Sequence, residues 1–87
     1  MYKLVRSKSF DNTFKKIDKH EARLILKYIK NNIDGIEDPR SKGRALVGDK
    51  KGYWRYRIGN YRLICKIEDD KLLILALAVG HRREIYK

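Results

Sequence analysis

Apolar and polar residues alternate along residues 53–67, and this alternation predicts a pair of β-strands. The turn between them is placed at Gly59-Asn60, because glycine followed by asparagine accepts the positive φ of a two-residue hairpin turn at little cost. Such a loop sets Ile58 opposite Tyr61, and each earlier residue of the first strand then faces the matching later residue of the second. The rest of the chain is expected to be arranged around this hairpin.

Side chains alternate between the two faces of a strand, so the predicted register separates two kinds of surface. One face is apolar and aromatic, and it consists of Trp54, Tyr56, Ile58, Tyr61, Leu63 and Cys65. The other face gathers Arg55, Arg57 and Arg62. Like charges placed side by side on a sheet repel, and the planar fork of arginine suits phosphate oxygens. We therefore interpret the arginine face as an anion-binding surface, in preference to a solvated face neutralised by neighbouring carboxylates.

Ahead of the hairpin the spacing of apolar residues changes from the period of a strand to that of a helix. Residues 2–6 predict a first strand, and Ser7 or Ser9 can cap the helix that follows it. Asp18, with Glu21 three residues later, resembles a capping box at the start of a second helix. The apolar stripe of this second helix is Ala22, Ile25, Leu26, Ile29 and Ile33. We expect the two helices to form a hairpin laid across one face of the sheet.

Two further strands are predicted, a short one at residues 44–47 and an apolar one at residues 72–79. If Asp69-Asp70 is the turn before the latter, its core-facing residues are Leu72, Ile74, Ala76 and Ala78. The residues beside the arginines are then Leu73, Leu75, Leu77 and Val79, and an apolar patch there suggests a protein partner as well as a nucleic acid. The predicted fold is α+β: an N-terminal strand, then a helical hairpin packed on a small twisted antiparallel sheet, in one domain spanning residues 1–87.

The composition narrows the classes of partner. Lys and Arg total 22 against 11 Asp and Glu, and the net charge of +11 predicts attraction to nucleic acid, an acidic protein or an anionic membrane. The single cysteine excludes an internal disulfide and a cysteine-based metal site, and we place Cys65 in the core. The longest apolar run is too short to span a bilayer, and because residues 2–5 are short and strand-like and charge follows at once, we expect no signal peptide. We expect a cytoplasmic protein with no metal, no cofactor and no membrane partner.

Three stretches of the chain resemble the RelE/ParE superfamily of bacterial toxin–antitoxin toxins, and the RelE branch in particular. They are residues 42–47 before the sheet, residues 52–62 across the hairpin, and residues 79–86, which read Val-Gly-His-Arg-Arg-Glu-Ile-Tyr. The resemblance implies a small endoribonuclease that cuts mRNA in the decoding site of the ribosome, without metal, and so inhibits translation. It also implies a cognate antitoxin that silences the toxin in a hetero-oligomeric complex.

The same resemblance assigns roles to individual positions. Arg55 matches a basic position of the family's substrate strand, and Arg62 matches the arginine that follows the hairpin turn. Arg82 matches the arginine just after the last strand, and Tyr86 matches the C-terminal aromatic that stacks on a base near the scissile phosphate. The other basic residues expected to bind RNA are Lys50, Lys51, Arg57 and Arg83.

Metal-free cleavage of RNA needs a base, an acid and a cation that stabilises the charge growing on the phosphate. Arg55, Arg62 and Arg82 would supply the cation, but arginine stays protonated and is a poor base. Histidine ordinarily titrates near neutrality, so His81 is the candidate for proton transfer, together with Tyr86. Gly80 lets the chain bend, and the tail can then bring His81 towards the arginines. The alternative is that His81 is an ordinary surface histidine.

Two other functions remain open at this point. One is the ParE branch of the superfamily, which poisons DNA gyrase through protein contacts and would be detected in a supercoiling assay. The other is a plain basic nucleic-acid-binding module, whose binding would depend steeply on salt and leave no cut product.

Overall fold

A computed structural model of the protein describes residues 1–48 and 52–81, and its elements follow the predicted order. In chain order they are β1 (Lys3–Arg6), α1 (Lys8–Phe14), α2 (Lys19–Asn32), β2 (Arg44–Ala45), β3 (Trp54–Ile58), β4 (Tyr61–Glu68) and β5 (Leu73–His81). The strands form one sheet in the order β1-β5-β4-β3-β2. All neighbours are antiparallel except β1 and β5, so the sheet is mixed. The α+β fold class is confirmed.

Both helices begin at side-chain caps that the sequence predicted. Ser7 Oγ accepts a hydrogen bond from the amide of Phe10 at 3.0 Å, and it therefore caps α1. Ser9 has a different role, since its hydroxyl donates to the carbonyl of Leu77 on β5. Asp18 accepts from the first free amides of α2 and caps it. These caps fix where the chain leaves β1 and where it turns back across the sheet.

The buried face of α2 is narrower than predicted. Ile25, Ile29 and Ile33 belong to the core cluster and are 5% exposed or less. They are spaced four residues apart, so they form a single row along the helix. Ala22 is half-buried, whereas Leu26 is 37% exposed. The prediction that Leu26 lies in the core stripe was wrong, because the face of α2 that packs against the core consists of the isoleucine row with Tyr28 beside it, and Leu26 lies outside it.

The hairpin of β3 and β4 has the predicted register. Ile58 pairs with Tyr61 and Arg57 pairs with Arg62, and the turn is Gly59-Asn60 with Gly59 at φ +60°. The predicted core face is also confirmed. Its members all lie in the core cluster or pack against it: Trp54, Tyr56, Ile58, Tyr61, Leu63 and Cys65.

The alternation along β5 was predicted correctly only for its first half. Ile74 and Ala76 are fully buried in the core, as expected. The pairing with β4 then skips Leu77, and this bulge reverses the alternation, so that Val79 enters the core and Ala78 lies opposite Ile64. The predicted faces of Ala78 and Val79 were therefore wrong.

Leu72 is also placed differently from the prediction. It adopts a left-handed conformation with φ +52°, directly after a 3-10 turn at Asp69–Lys71, and it is 50% exposed. The turn between β4 and β5 is thus longer than the predicted two residues. The strand begins at Leu73, so Leu72 contributes nothing to the core.

The core lies between the helices and one face of the sheet. Phe10 of α1 and the isoleucine row of α2 pack in the same cluster as Tyr56, Leu63 and Ile74 of the strands. In residues 1–48 and 52–81 no helix covers the opposite face, which carries the arginines. Neither α1 nor α2 is long and apolar enough to cross a bilayer.

Candidate nucleic-acid interface

The uncovered face of the sheet holds a concave site that we call the arginine groove. Its volume is about 390 Å³, and it is lined by Gly43, Arg44, Arg55, Arg57 and Arg62. Three of these arginines were predicted to share this face, and the hairpin register explains why they do. Arg57 and Arg62 are directly opposed on β3 and β4, and Arg55 is two residues before Arg57 on the same strand.

Arg62 is the most deeply placed of the four guanidinium groups. It lies on β4, in the middle of the sheet, and it is only 8% exposed. Its partner on β5 is Gly80, which has no side chain. An anion that reaches Arg62 would be partly removed from water, where the attraction between opposite charges is stronger.

The carboxylates that form ion pairs in the described chain lie away from the groove. Arg6 pairs with Asp11 at the start of α1, at 2.8 Å. Arg40 pairs with Asp69 in the turn before β5, at 2.9 Å. The remaining pair joins the N-terminus to Glu37. These acidic side chains therefore stabilise loops and helix ends, and none of them lines the arginine groove.

His81 is not part of this groove. It pairs with Tyr61, and its ring stands edge-on to the Tyr61 ring with the centroids 5.8 Å apart. Tyr61 packs against the core, so His81 points to the helix side of the sheet. There it lines a cavity of about 560 Å³ with Glu21 and Tyr28 of α2.

The expectation that His81 turns towards the arginines was therefore wrong. The reason is that the bulge at Leu77 reverses the alternation along β5, and the strand then continues through Gly80 to His81, which falls on the core side with Val79. The remaining predicted residues lie outside the described part of the chain: Lys50, Lys51, Arg82, Arg83 and Tyr86.

Trp54 and Cys65 occupy the structural positions that the sequence indicated. Trp54 is half-buried against the core, and its Nε1 donates to the carbonyl of Lys42 at 2.8 Å. Cys65 is fully buried, and burial raises the pKa of its thiol. Within residues 1–48 and 52–81, no three His, Cys, Asp or Glu side chains are grouped so that they could hold a metal ion.

Arg44 is the one arginine of the groove that sequence reasoning missed. The sequence predicted a strand beginning at this position but gave no partner or register for it, because a loop separates it from the hairpin. In the structure Arg44 lies opposite Arg55, and β2 is the edge of the sheet. The only signal in the sequence was that Arg44 begins a predicted strand and directly follows a glycine.

A sheet with both helices on one side and clustered arginines on the other agrees with the resemblance noted above. The sequence model of the family described as "ParE toxin of type II toxin-antitoxin system, parDE" matches residues 4–86. The chain therefore belongs to this family, and it is a type II toxin of the RelE/ParE superfamily.

Individual relatives agree with this assignment. The curated protein Toxin RelG of Mycobacterium tuberculosis is 33% identical over 54 residues, which span 62% of each chain. The toxin–antitoxin complex RelBE2 of the same organism contains a chain with a TM-score of 0.83 and 21% identity, over 93% of this chain and 98% of that one. The isolated RelE toxin of E. coli matches with a TM-score of 0.66 and 18% identity, over 99% and 92%. These two structures show a shared fold.

Proposed function

We propose that this toxin is an endoribonuclease that cuts mRNA on translating ribosomes in the cytoplasm. The observation that carries the proposal is the arginine groove, where Arg57 and Arg62 face each other and Arg62 is 8% exposed. Directly opposed like charges destabilise a sheet. A polyanion bound between Arg57 and Arg62 would offset this repulsion with charge-assisted hydrogen bonds. A ribose-phosphate backbone is such a polyanion.

The chemistry proposed is transfer of a phosphate ester within the RNA. The 2′-oxygen loses its proton and attacks the adjacent phosphorus, the bond from phosphorus to the 5′-oxygen breaks, and the 5′-oxygen takes up a proton. The products are a 2′,3′-cyclic phosphate and a 5′-hydroxyl. Negative charge grows on the non-bridging oxygens in the transition state, and fixed cations aimed at them provide the largest catalytic contribution.

The described arginines fit the stabilising role. Arg57 on β3 and Arg62 on β4 can hold the phosphate between them, and Arg55 lies two residues before Arg57 on the same strand. We propose that Arg82 completes the charge around the scissile phosphate, and that Tyr86 stacks on a neighbouring base. We infer that proton transfer does not depend on His81, because its ring lies on the opposite face of the sheet.

Primer extension on a translated message after induction of the toxin tests the proposal. Wild-type toxin should give discrete cleavage products that vanish when translation is blocked. Arg62→Ala should lower the cleavage rate by about 100- to 1,000-fold, since one charge-stabilising donor is lost. Arg82→Ala tests the tail in the same way.

The matched control is Arg23→Ala, which removes the same charge from the exposed side of α2. It should leave cleavage unchanged, because it is remote from the groove. If Arg62→Ala and Arg82→Ala cut as fast as this control, the groove is not the catalytic site.

Inhibition of DNA gyrase is the second candidate function, because the matching family is described as the ParE toxin. In that case the toxin would act through protein contacts and would not cut RNA. A supercoiling assay with purified gyrase distinguishes the two. Loss of supercoiling together with an intact message would replace the nuclease proposal.

A cognate antitoxin is the proposed protein partner. The solved relatives include toxin–antitoxin complexes, among them RelBE2 of M. tuberculosis and RelBE of E. coli. The net charge of +11 favours an acidic partner segment, and apolar side chains of β1 and β5 lie on the groove side, including Val5 at 37% exposure. Arg55→Glu with Arg57→Glu should weaken antitoxin binding. Unchanged binding would rule out the electrostatic account.

A further inference from the structure

Arg44 extends the charged surface onto a third strand. It is exposed on β2 and is the direct cross-strand partner of Arg55. Cross-strand partners point to the same face, with neighbouring strands about 4.8 Å apart. Arg44 and Arg55 therefore form a pair of the same kind as Arg57 and Arg62.

The position of Arg44 is fixed by the residue before it. Gly43 has φ +81°, and a Cβ at that place would overlap the carbonyl oxygen of Arg55 and lie 2.7 Å from Trp54 Nε1. The backbone thus rests directly on β3. On the other side of Gly43, the carbonyl of Lys42 accepts the indole N–H of Trp54 at 2.8 Å. A strand of only two residues is held in register in this way, and Gly43 acts as a positioning residue for Arg44.

The groove then contains two rows of guanidinium groups. The first row is Arg44 with Arg55, and the second is Arg57 with Arg62. The rows are two residues apart along β3, which corresponds to about 6.6 Å, and their centres are also offset sideways by about 4.8 Å, because one row lies between β2 and β3 and the other between β3 and β4. The centres of the two rows are therefore about 8 Å apart, and the long arginine side chains can reach from them to two successive phosphates of an extended nucleotide chain.

We propose that the groove binds two successive phosphates of a single-stranded RNA, one in each row, and that Arg44 with Arg55 binds the phosphate next to the one held by Arg57 and Arg62. This inference rests on the proposed function and adds a substrate contact to it. It also predicts a direction: the RNA runs obliquely over β3, from the row between β2 and β3 to the row between β3 and β4. Arg44 would bind and orient the strand without touching the reacting atoms.

Binding of a 2′-O-methyl oligonucleotide, which has no free 2′-hydroxyl and is not cut, tests this proposal. Fluorescence anisotropy between about 50 and 200 mM salt measures both the affinity and its salt dependence. Arg44→Ala should reduce the slope of log K against log salt by about 0.7, the value for one lost phosphate contact with a single strand. The affinity at the low-salt end should fall about three- to tenfold.

Two variants separate charge from structure. Arg44→Lys should keep the salt slope of the wild type while binding a few-fold more weakly, because lysine lacks the two-pronged donor geometry. Arg23→Ala, the exposed control on α2, should change neither quantity. All variants should unfold at the wild-type temperature, since both arginines are exposed.

The outcomes also separate this inference from the nuclease proposal. If wild-type protein binds and cuts while Arg44→Ala is indistinguishable from Arg23→Ala, the assignment of Arg44 is wrong and the nuclease stands. Binding that weakens in Arg44→Ala, with no cleavage of a translated message by the wild type, would support the two-phosphate groove and overturn the nuclease. A wild type that neither binds nor cuts would overturn both.

Discussion

At the scale of single residues, a shift of one position along a strand decides whether a side chain faces RNA or the core. Tyr61 and Arg62 are consecutive, yet Tyr61 packs against the helices and Arg62 enters the groove. Gly80 and His81, their partners on β5, divide in the same way. An imidazole at this end of the sheet is therefore close to the arginines in sequence but separated from them by the sheet itself.

His81→Gln should consequently leave mRNA cleavage within about threefold of the wild type. A general base or acid contributes about 100-fold or more, so the primer-extension assay resolves the two cases. Arg62→Ala in the same experiment provides the positive control. A loss of about 100-fold in His81→Gln, with an unchanged unfolding temperature, would show that RNA reaches around the end of β5.

Cys65 should be inert to thiol reagents in the native protein. It is fully buried, and burial raises the pKa of its thiol, so little thiolate is present and no reagent can approach it. Titration with a disulfide reagent at neutral pH should give no reaction until denaturant is added, and then one thiol per chain. Rapid labelling of folded protein would contradict the burial of β4.

At the scale of elements, local patterns were predictable and contacts between distant segments were not. The register of β3 with β4 follows from a two-residue turn, and both helix caps follow from the hydroxyl or carboxylate that precedes each helix. The bulge at Leu77 depends on how β5 pairs with β4, and alternation alone cannot reveal it. Arg44 was missed for the same reason, since its partner is set by the backbone contact at Gly43.

Gly43→Ala should destabilise the protein by about 2–5 kcal/mol, because a positive φ and an overlap with the Arg55 carbonyl act together. Gly35→Ala is the matched control, because Gly35 has φ +85° but an added Cβ would meet nothing within 4 Å. Gly35→Ala should lower the free energy of unfolding by only about 1–2 kcal/mol, which is the cost of the positive φ without the overlap. Urea unfolding measures both values, and equal losses would mean that β2 does not rest on β3.

At the scale of the whole molecule, three segments far apart in sequence meet at one carboxylate. Asp69, in the turn between β4 and β5, accepts hydrogen bonds from Tyr2 Oη at 2.7 Å and from both terminal nitrogens of Arg40 at 2.9 and 3.0 Å. Tyr2 precedes β1, and Arg40 lies between α2 and β2. This exposed network joins the two edge regions of the sheet at the end remote from the hairpin turn, and no sequence pattern indicated it.

The network should make the free energy of unfolding depend on pH in the acidic range. The Arg40 guanidinium, and after it the Tyr2 hydroxyl, lower the pKa of Asp69 from 3.8 to about 2. A carboxyl whose pKa is lower in the folded state stabilises the fold above its ordinary pKa, and this contribution disappears as the pH falls from about 4 to about 2. Asp69→Asn should therefore lower the urea midpoint at about pH 7 and have little effect at about pH 2.

Asp70→Asn serves as the control, because Asp70 is the adjacent exposed residue and takes part in none of these bonds. Its effect on the urea midpoint should be small and independent of pH. A difference between Asp69→Asn and the wild type that persists in acid would come from the amide itself rather than from the lost charge. Since the network is far from the groove, RNA binding by Asp69→Asn at neutral pH should match the wild type as long as the protein is folded.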